Sequence, residues 1–422
     1  MFFEDAKTVS RVLDLVLTSR GKEPSQKIPM CGFPYHAAEN YIARLIKAGF
    51  KAAICEQLED PKQAKGVVKR GVVRIVTPGT IIEQTLLTDK SNNYIMAIAA
   101  ETTEAHESKI SGTKGTSAAG GKKAGIAVAD LSTSEFFCAE VPINEILNEI
   151  VRYNPSEIVI EENGKKQTPP PLFLEACKKK NKFINYIQDF FFQYNNAYAT
   201  ITRHFKTHSL EGFGIEEKRA ATCAAGALLF HLKETQKSNV SSIQKIKYVS
   251  NEQYMLLDET TLNNLEVMRS LHDASTKHTL LSAIDQTRTP MGGRMLKKWL
   301  MQPLLQKEAI ENRLDAVDEL RKKILMKEEI AEHLDKIYDI ERIVSRLNLG
   351  CGNGRDVLAL KNSLAWIPQI KNILQLAESS MLKELSSIEA CQEVVKLCET
   401  AIAEDAPVSI REGNIIKNGF SK

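Results

Sequence analysis

Gly125-Ile126-Ala127-Val128-Ala129-Asp130, a short break, then Ser134-Glu135-Phe136-Phe137-Cys138: two brief apolar runs separated by turn-forming residues predict adjacent strands of one sheet. Upstream, Tyr94-Ile95-Met96-Ala97-Ile98-Ala99 supplies a further strand. The stretch between them, residues 106–123, is rich in Ser, Thr, Gly and Lys without apolar periodicity, which predicts a flexible loop joining two strands. Downstream come a helix over Asn144 to Tyr153 and a strand at Glu157-Ile158-Val159-Ile160. Strand, strand, strand, helix, strand is the order of an α/β domain, placed at residues 89–210.

On the N-terminal side, Phe2, Ala6, Val9, Leu13 and Val16 recur at helical spacing, putting Phe2 on the core face. A second helix is read from Ala37 to Lys47, followed by apolar runs at Lys51-Ala52-Ala53-Ile54-Cys55 and Val72-Val73-Arg74-Ile75-Val76. The latter ends at the turn Thr77-Pro78-Gly79-Thr80. Residues 1–88 therefore read as a small mixed α/β domain. From Ile215 onward the pattern changes to helices, read near 215–237, 254–272, 290–301, 307–348, 354–377 and 379–403; the fourth exceeds ordinary helix length and should bend or break. Residues 211–422 read as an all-α domain, so the fold class is multidomain α/β plus all-α. The runs Arg321-Lys322-Lys323 and Lys327-Glu328-Glu329 are read as solvated helix faces.

With 422 residues, 43% of them hydrophobic and 26% charged, the chain has the composition of an ordinary globular protein of several domains. No run of about 18 apolar residues occurs, so a membrane partner is not expected. Met1-Phe2-Phe3-Glu4-Asp5 lacks the features of a signal peptide, and a cytoplasmic location is expected. The eight cysteines form no C-x-x-C pair and fit reduced thiols. A net charge of +3 rules out a polycation, leaving local basic surfaces to meet nucleic acid.

Gly115-Thr116-Ser117-Ala118-Ala119-Gly120-Gly121-Lys122-Lys123 resembles a phosphate loop only loosely. An extra glycine breaks the spacing, and Lys123 stands where a hydroxyl must reach Mg²⁺, so no nucleotide site is expected there. Asp130 at a strand end is where an RNase H-like nuclease would place a metal-binding carboxylate, but two-metal catalysis needs several converging acids. Glu161 and Glu162 near the next strand end add no obvious match, and Asp130 reads better as a strand-end cap. Cys31 and His36 have C-x₄-H spacing but are too few for a zinc site; a packed or capping His36 is expected. Lys65, Lys69, Arg70 and Arg74 could be a solvated strand edge or phosphate contacts.

Ile28-Pro29-Met30-Cys31-Gly32-Phe33-Pro34-Tyr35-His36-Ala37, Ala53-Ile54-Cys55-Glu56-Gln57, Asp60-Pro61-Lys62 and Val72 through Thr80 resemble the mismatch-binding domain of the MutS family. Thr261-Leu262-Asn263-Asn264-Leu265-Glu266, Thr289-Pro290-Met291-Gly292-Gly293-Arg294-Met295-Leu296-Lys297-Lys298-Trp299-Leu300, Asp339-Ile340-Glu341-Arg342 and Pro407 through Gly413 resemble its helical core. In the second of these, Thr289 can cap and Pro290 suits the first helical position. Met295, Leu296, Trp299 and Leu300 form an apolar stripe whose simplest role is packing.

The resemblance implies a mismatch-binding domain, an RNase H-like connector and a core with levers, followed in the family by a DNA clamp and a dimerising ATPase. On this reading the chain is a fragment cut short at both ends, Met1 is an internal methionine, and the 422 residues are not an enzyme. No cofactor is expected in the chain; ATP and Mg²⁺ would belong to the ATPase domain. The implied partners are double-stranded DNA with mismatches or small loops, a second copy in the full-length protein, and a MutL-type protein. The family reads a mispair with Phe-X-Glu, where the ring wedges beside the base and kinks the duplex. Phe2-Phe3-Glu4 is not that reader, because it stands in the helix that in the family follows it. DNA contacts are expected from Arg20, Pro29, Met30, Lys69, Arg70 and Arg74. The alternatives are an RNase H-like nuclease using Asp130 and a helical scaffold with only protein contacts.

Overall fold

The computed structural model describes residues 1–21, 27–59, 66, 68–100, 123–162, 177, 180, 182–237, 240–407 and 412–420. The loop read at 106–123 and the phosphate-loop-like text lie outside the described residues except at Lys123, as do Asp60-Pro61-Lys62, Lys65 and Ser409-Ile410-Arg411.

The first unit holds helices α1 (Phe3–Leu13) and α2 (Ala38–Lys47) and two antiparallel ribbons, β1 (Thr18–Arg20) with β2 (Ile28–Met30) and β3 (Ala52–Gln57) with β4 (Arg70–Val76). Ala6, Val9 and Leu13 of α1 bury against Cys31 and Leu45, with Phe33 stacked on Tyr41 at 4.6 Å. Phe2 does not join them. It is 42% exposed, its backbone bridges Met30 in extended form, and Phe3 is 61% exposed with φ +53°. The helix begins one residue later than the spacing predicts, so Phe2 lies along β2 instead of inward. Val16 falls beyond the helix and is exposed. His36 is exposed in a 3₁₀ turn at Tyr35–Ala37, so it neither packs nor meets buried Cys31.

The second unit is a six-stranded sheet in the order β10-β7-β6-β5-β8-β9. β5 (Ile95–Ala100), β6 (Lys123–Asp130) and β7 (Glu135–Pro142) form an antiparallel meander. Helix α3 (Ile146–Tyr153) then crosses to β8 (Glu157–Glu161), parallel to β5, and β9 (Phe183–Ile187) continues parallel beyond it. Strand alternation divides the core: Met96, Ile98, Ile126 and Val128 pack on the α3 side, while Ala97, Ala99, Ala127 and Ala129 face the other.

That small-residue face receives helix α5 (Arg219–Gln236), against which α4 (Tyr194–Phe205) packs. A Cβ on Gly125 would stand 1.8 Å from the Ala220 carbonyl oxygen, and one on Gly226 2.4 Å from Ala197 Cα. The alanines and glycines let α5 lie directly on the sheet. Consequently α5, read from sequence as the start of the all-α region at 211, belongs by packing to the sheet. The strand β10 (Lys247–Tyr248) follows it and pairs with β7, so the α/β unit extends past residue 210. The sequence pattern misplaces α5 because the helix is apolar nearly all round, which signals a buried helix without naming what covers it.

The remainder is helical: α6 (Glu259–Asn264), α7 (Leu280–Ile284), α8 (Pro290–Met301), α9 (Lys307–Lys322), α10 (Ile324–Leu334), α11 (Ile340–Asn348), α12 (Gly354–Leu364), α13 (Ile367–Leu374), α14 (Ser380–Leu385) and α15 (Gln392–Ala401). The segment read as 307–348 breaks into α9, α10 and α11. The helix read at 254–272 shrinks to six residues, because Asp258 caps its start by accepting the Thr261 N–H and Glu266 takes a left-handed φ of +46° just past its end. The spans 354–377 and 379–403 each divide in two, the first at Trp366 where Pro368 starts a new first turn. Arg321 and Lys322 pair with Asp318 on an exposed face, as expected. No helix among the described residues is long and apolar enough to cross a membrane.

Candidate nucleic-acid interface and its anchorage

Arg20, Pro29 and Met30 come together on the β1–β2 ribbon, where Arg20 pairs with Ile28, Ser19 with Pro29 and Thr18 with Met30. Arg20 is exposed, and Thr18 Oγ1 donates to the Met30 carbonyl at 2.9 Å. Lys69 and Arg70 are exposed at the start of β4, opposite Leu58 and Gln57. Glu59 Oε1 accepts the Lys69 backbone N–H at 2.6 Å, leaving the ammonium outward.

Arg74 does not join them. Pairing shifts between Ile54 and Cys55, so Cys55 opposes Val72 while Ile54 opposes Arg74, and Val73 is the extra residue of a bulge. Even spacing would set Arg70, Val72 and Arg74 on one face; the bulge turns Arg74 to the inner one. There it donates to Glu83 Oε1 at 2.6 Å and to the Thr80 carbonyl at 3.0 Å, with its side chain 12% exposed. Arg74 closes the inner side of the unit and offers no free guanidinium to a phosphate.

Just beyond Arg74, the turn Thr77–Thr80 docks on the second unit through a buried carboxylate. Glu157 is wholly buried at the start of β8. Thr77 Oγ1 donates to its Oε2, as does the Gly79 N–H at 3.1 Å; Asn185 Nδ2 donates to Oε1 at 3.2 Å, and His231 Nε2 lies 3.0 Å from the same oxygen. Burial pushes the Glu157 carboxyl up, but the hydrogen bonds from His231, Thr77 and Gly79 and the charge of His231 outweigh it and hold the group below the usual carboxylate range. Lys51 Nζ donates to Asn185 Oδ1 at 2.7 Å from the first unit. A Cβ on Gly79 would stand 2.9 Å from Glu157 Cβ, so glycine permits the approach.

A second attachment surrounds residues 88–91. Asp339 caps α11 and accepts both nitrogens of Arg294 at 2.7 Å, and Glu341 accepts Arg294 at 2.6 Å. Arg294 donates to the Asp89 carbonyl at 3.0 Å, and Arg342 Nη2 donates to the carbonyls of Thr88 at 3.0 Å and Ser91 at 2.6 Å. Thr289 caps α8 by accepting the Gly292 N–H at 3.0 Å, and Pro290 opens the helix, both as expected. The buried face of α8 is nevertheless Gly293 and Arg294, not the predicted apolar stripe. Met295 is 51% exposed, and Trp299 lies under the Arg313 guanidinium at 3.8 Å. Neither polar joint was foreseen. The signal was present in Asp339-Ile340-Glu341-Arg342, an N-cap acid with a basic residue one turn on.

Asp130 is fully buried and engaged. Its Oδ2 accepts Asn92 Nδ2 at 2.9 Å and the Asn93 N–H at 3.0 Å; its Oδ1 accepts the Ser132 N–H at 2.9 Å and Ser132 Oγ at 2.7 Å. These bonds organise the strand end and leave no lone pair directed at a metal ion. Among the described residues no group of three His, Cys, Asp or Glu is placed to hold one.

Comparison with known proteins assigns the three regions in order. The family model of MutS domain I matches residues 1–85, MutS domain II residues 93–244, and MutS domain III residues 260–418. The chain is 39% identical over 426 residues to a DNA mismatch repair protein MutS of Ruminiclostridium cellulolyticum, covering 100% of this chain and 46% of the relative. It is 40% identical over 425 residues to that of Halothermothrix orenii (100% and 45%) and 40% over 437 residues to that of Methanosarcina mazei (100% and 47%). The chain thus spans about half the length of the curated relatives it matches.

Proposed function

The chain belongs to the MutS family of DNA mismatch repair proteins, and on that footing we propose that it serves the recognition of duplex DNA carrying a mispair or small loop. The first unit faces the DNA through Arg20, Pro29, Met30, Lys69 and Arg70. The second is an RNase H-like connector, and the helical region is the core with its levers. What supports this reading is the collinear succession of domains I, II and III along one chain. Exposed cations on a small unit that is fastened at its base are suited to backbone contact.

The same membership leads us to propose, for the full-length protein, a homodimer, a MutL-type partner and a cytoplasmic, nucleoid-associated location. We assign no nucleotide or Mg²⁺ site to this chain, whose phosphate-loop-like text at 115–123 lacks the required spacing. On this reading nucleotide chemistry belongs to the family's ATPase domain, and no step is assigned to it here.

Titration of matched and mismatched duplexes at two salt concentrations tests the proposal. Phosphate contacts give an affinity that falls steeply with salt, with little preference for the mispair in these 422 residues. A preference of about tenfold or more, about 1.4 kcal/mol, would place a reader among them, and exposed Phe2 and Phe3 would be the first residues to replace. Absence of binding at low salt would overturn the reading.

A further inference from the structure

Every residue of the segment 88–91, which joins the first unit to the second, is gripped by the helical body. Arg342 holds the carbonyls of Thr88 and Ser91, and Arg294 that of Asp89. Lys90 Nζ donates to Asp285 Oδ1 at 3.0 Å and to the Thr287 carbonyl at 3.1 Å, and Lys297 donates to Ser91 Oγ. Gly293 brings α8 against this segment: a Cβ there would stand 2.5 Å from Lys90 Cγ.

Arg342 is 1% exposed and is the largest fully buried side chain among the described residues. Its Nε lies 3.8 Å from Asp339 Oδ2, and among the described residues Nε and Nη1 find no hydrogen-bond acceptor. Burying a guanidinium is costly, and apolar side chains of similar volume would pack as well or better. What an arginine adds is direction: its planar donors meet carbonyls only in a narrow range of angles.

We propose that Arg342 is a positioning residue for DNA reading, setting the orientation of the first unit by fixing the Thr88 and Ser91 carbonyls inside the helical body. The role rests on the DNA-reading assignment above. The turn at Thr77–Thr80 and Lys51 join the first unit to the second around Glu157 and Asn185, and β4 lies against α5. The grip on residues 88–91 is a separate attachment, made to the helical body, and it limits the rotation that the contacts around Glu157 leave. Because this grip consists of directional hydrogen bonds, its loss frees an orientation without emptying a hydrophobic core.

The test uses the whole chain. Cys55, exposed in the first unit, and Cys391, partly exposed in the helical body, carry spin labels in a Cys351→Ser background, the other cysteines being buried. Distances between the labels are measured by double electron–electron resonance for the parent, Arg342→Ala and Arg342→Lys, alongside duplex binding. The parent should give one narrow distribution, and both variants a broad one. If the competent orientation falls to about one third, the apparent Kd rises about threefold. Should Arg342→Ala fail to fold, Arg342→Lys, which keeps the charge but loses the planar pair of donors, decides the matter. A purely structural role would lower the unfolding midpoint of both variants yet leave the distance distribution of the folded molecules unchanged; that result overturns the proposal. Broadened distances with an unaltered Kd would overturn the link to DNA reading. A parent that binds no duplex but shows the expected broadening in the variants would overturn the functional assignment and leave the positioning role supported.

Discussion

Arg70 and Arg74 stand on opposite faces of one strand, the first exposed and the second 2.6 Å from Glu83, because the bulge at Val73 reverses the alternation between them. Two arginines that look equivalent in the sequence therefore have separate consequences. Arg70→Ala should leave the unfolding midpoint unchanged, weaken duplex binding evenly for matched and mismatched sequences, and lower the salt slope by about 1. Arg74→Ala should cost about 2–3 kcal/mol of stability, since it strands Glu83 and opens the inner face. Urea titration paired with a salt series separates the two, and equal stability of both variants would contradict the assignment.

Asp339 neutralises Arg294 directly and stands beside Arg342, so one carboxylate serves two buried cations. Asp339→Ala should destabilise the helical body by about 2–4 kcal/mol, because it removes the cap of α11, leaves Arg342 without a nearby carboxylate and leaves Arg294 with Glu341 alone. Asp339→Asn, which retains the helix cap, should cost less. Chemical denaturation of the three proteins checks the order.

Asp130→Asn should lower stability by about 1–3 kcal/mol, because an amide NH₂ would be forced against N–H donors that now meet a carboxylate oxygen. Neither parent nor variant should cleave nucleic acid with Mg²⁺. Cleavage by the parent that disappears in the variant would restore the nuclease reading.

Glu319 gives the helical body an acid-sensitive joint. Burial pushes its carboxyl up, but hydrogen bonds from Ser379, Lys323 and the Glu378 N–H prevail and hold it down at about 2. A carboxyl depressed in the folded state stabilises it fully above its unfolded pKa of about 4.3. That contribution is lost as pH falls from there through about 2. Glu319→Gln should reduce stability at pH 7 by about 1–3 kcal/mol and flatten the decline between those limits. A pH series of urea midpoints for parent and variant would show parallel curves if the idea is wrong.

Strands β5 to β8 were legible because their apolar runs are bounded by turn residues, and α8 because Thr289 and Pro290 announce its start. Other features depend on information that local pattern does not carry. The pattern of α5 identifies a buried helix, but only the Gly125 and Gly226 contacts reveal that a sheet and α4 cover it. The bulge that turns Arg74 inward is one unpaired residue in a run of β-formers. Arg294 meets Asp339 across 45 positions, and Glu157 meets Thr77 across 80. Both pairs were readable as cap, strand end or turn, yet not as partners.

The grip of Arg342 on Thr88 spans 254 positions, and this sets an order of events during synthesis. A ribosome adding about 5–20 residues per second delivers Arg342 on the order of ten to fifty seconds after Thr88. The first unit can acquire its own core and dock on the second unit in that interval, but it has no fixed bearing on the helical body until the arginine emerges. The nascent chain thus passes through a stage in which the DNA-facing module is folded before the helical body aligns it.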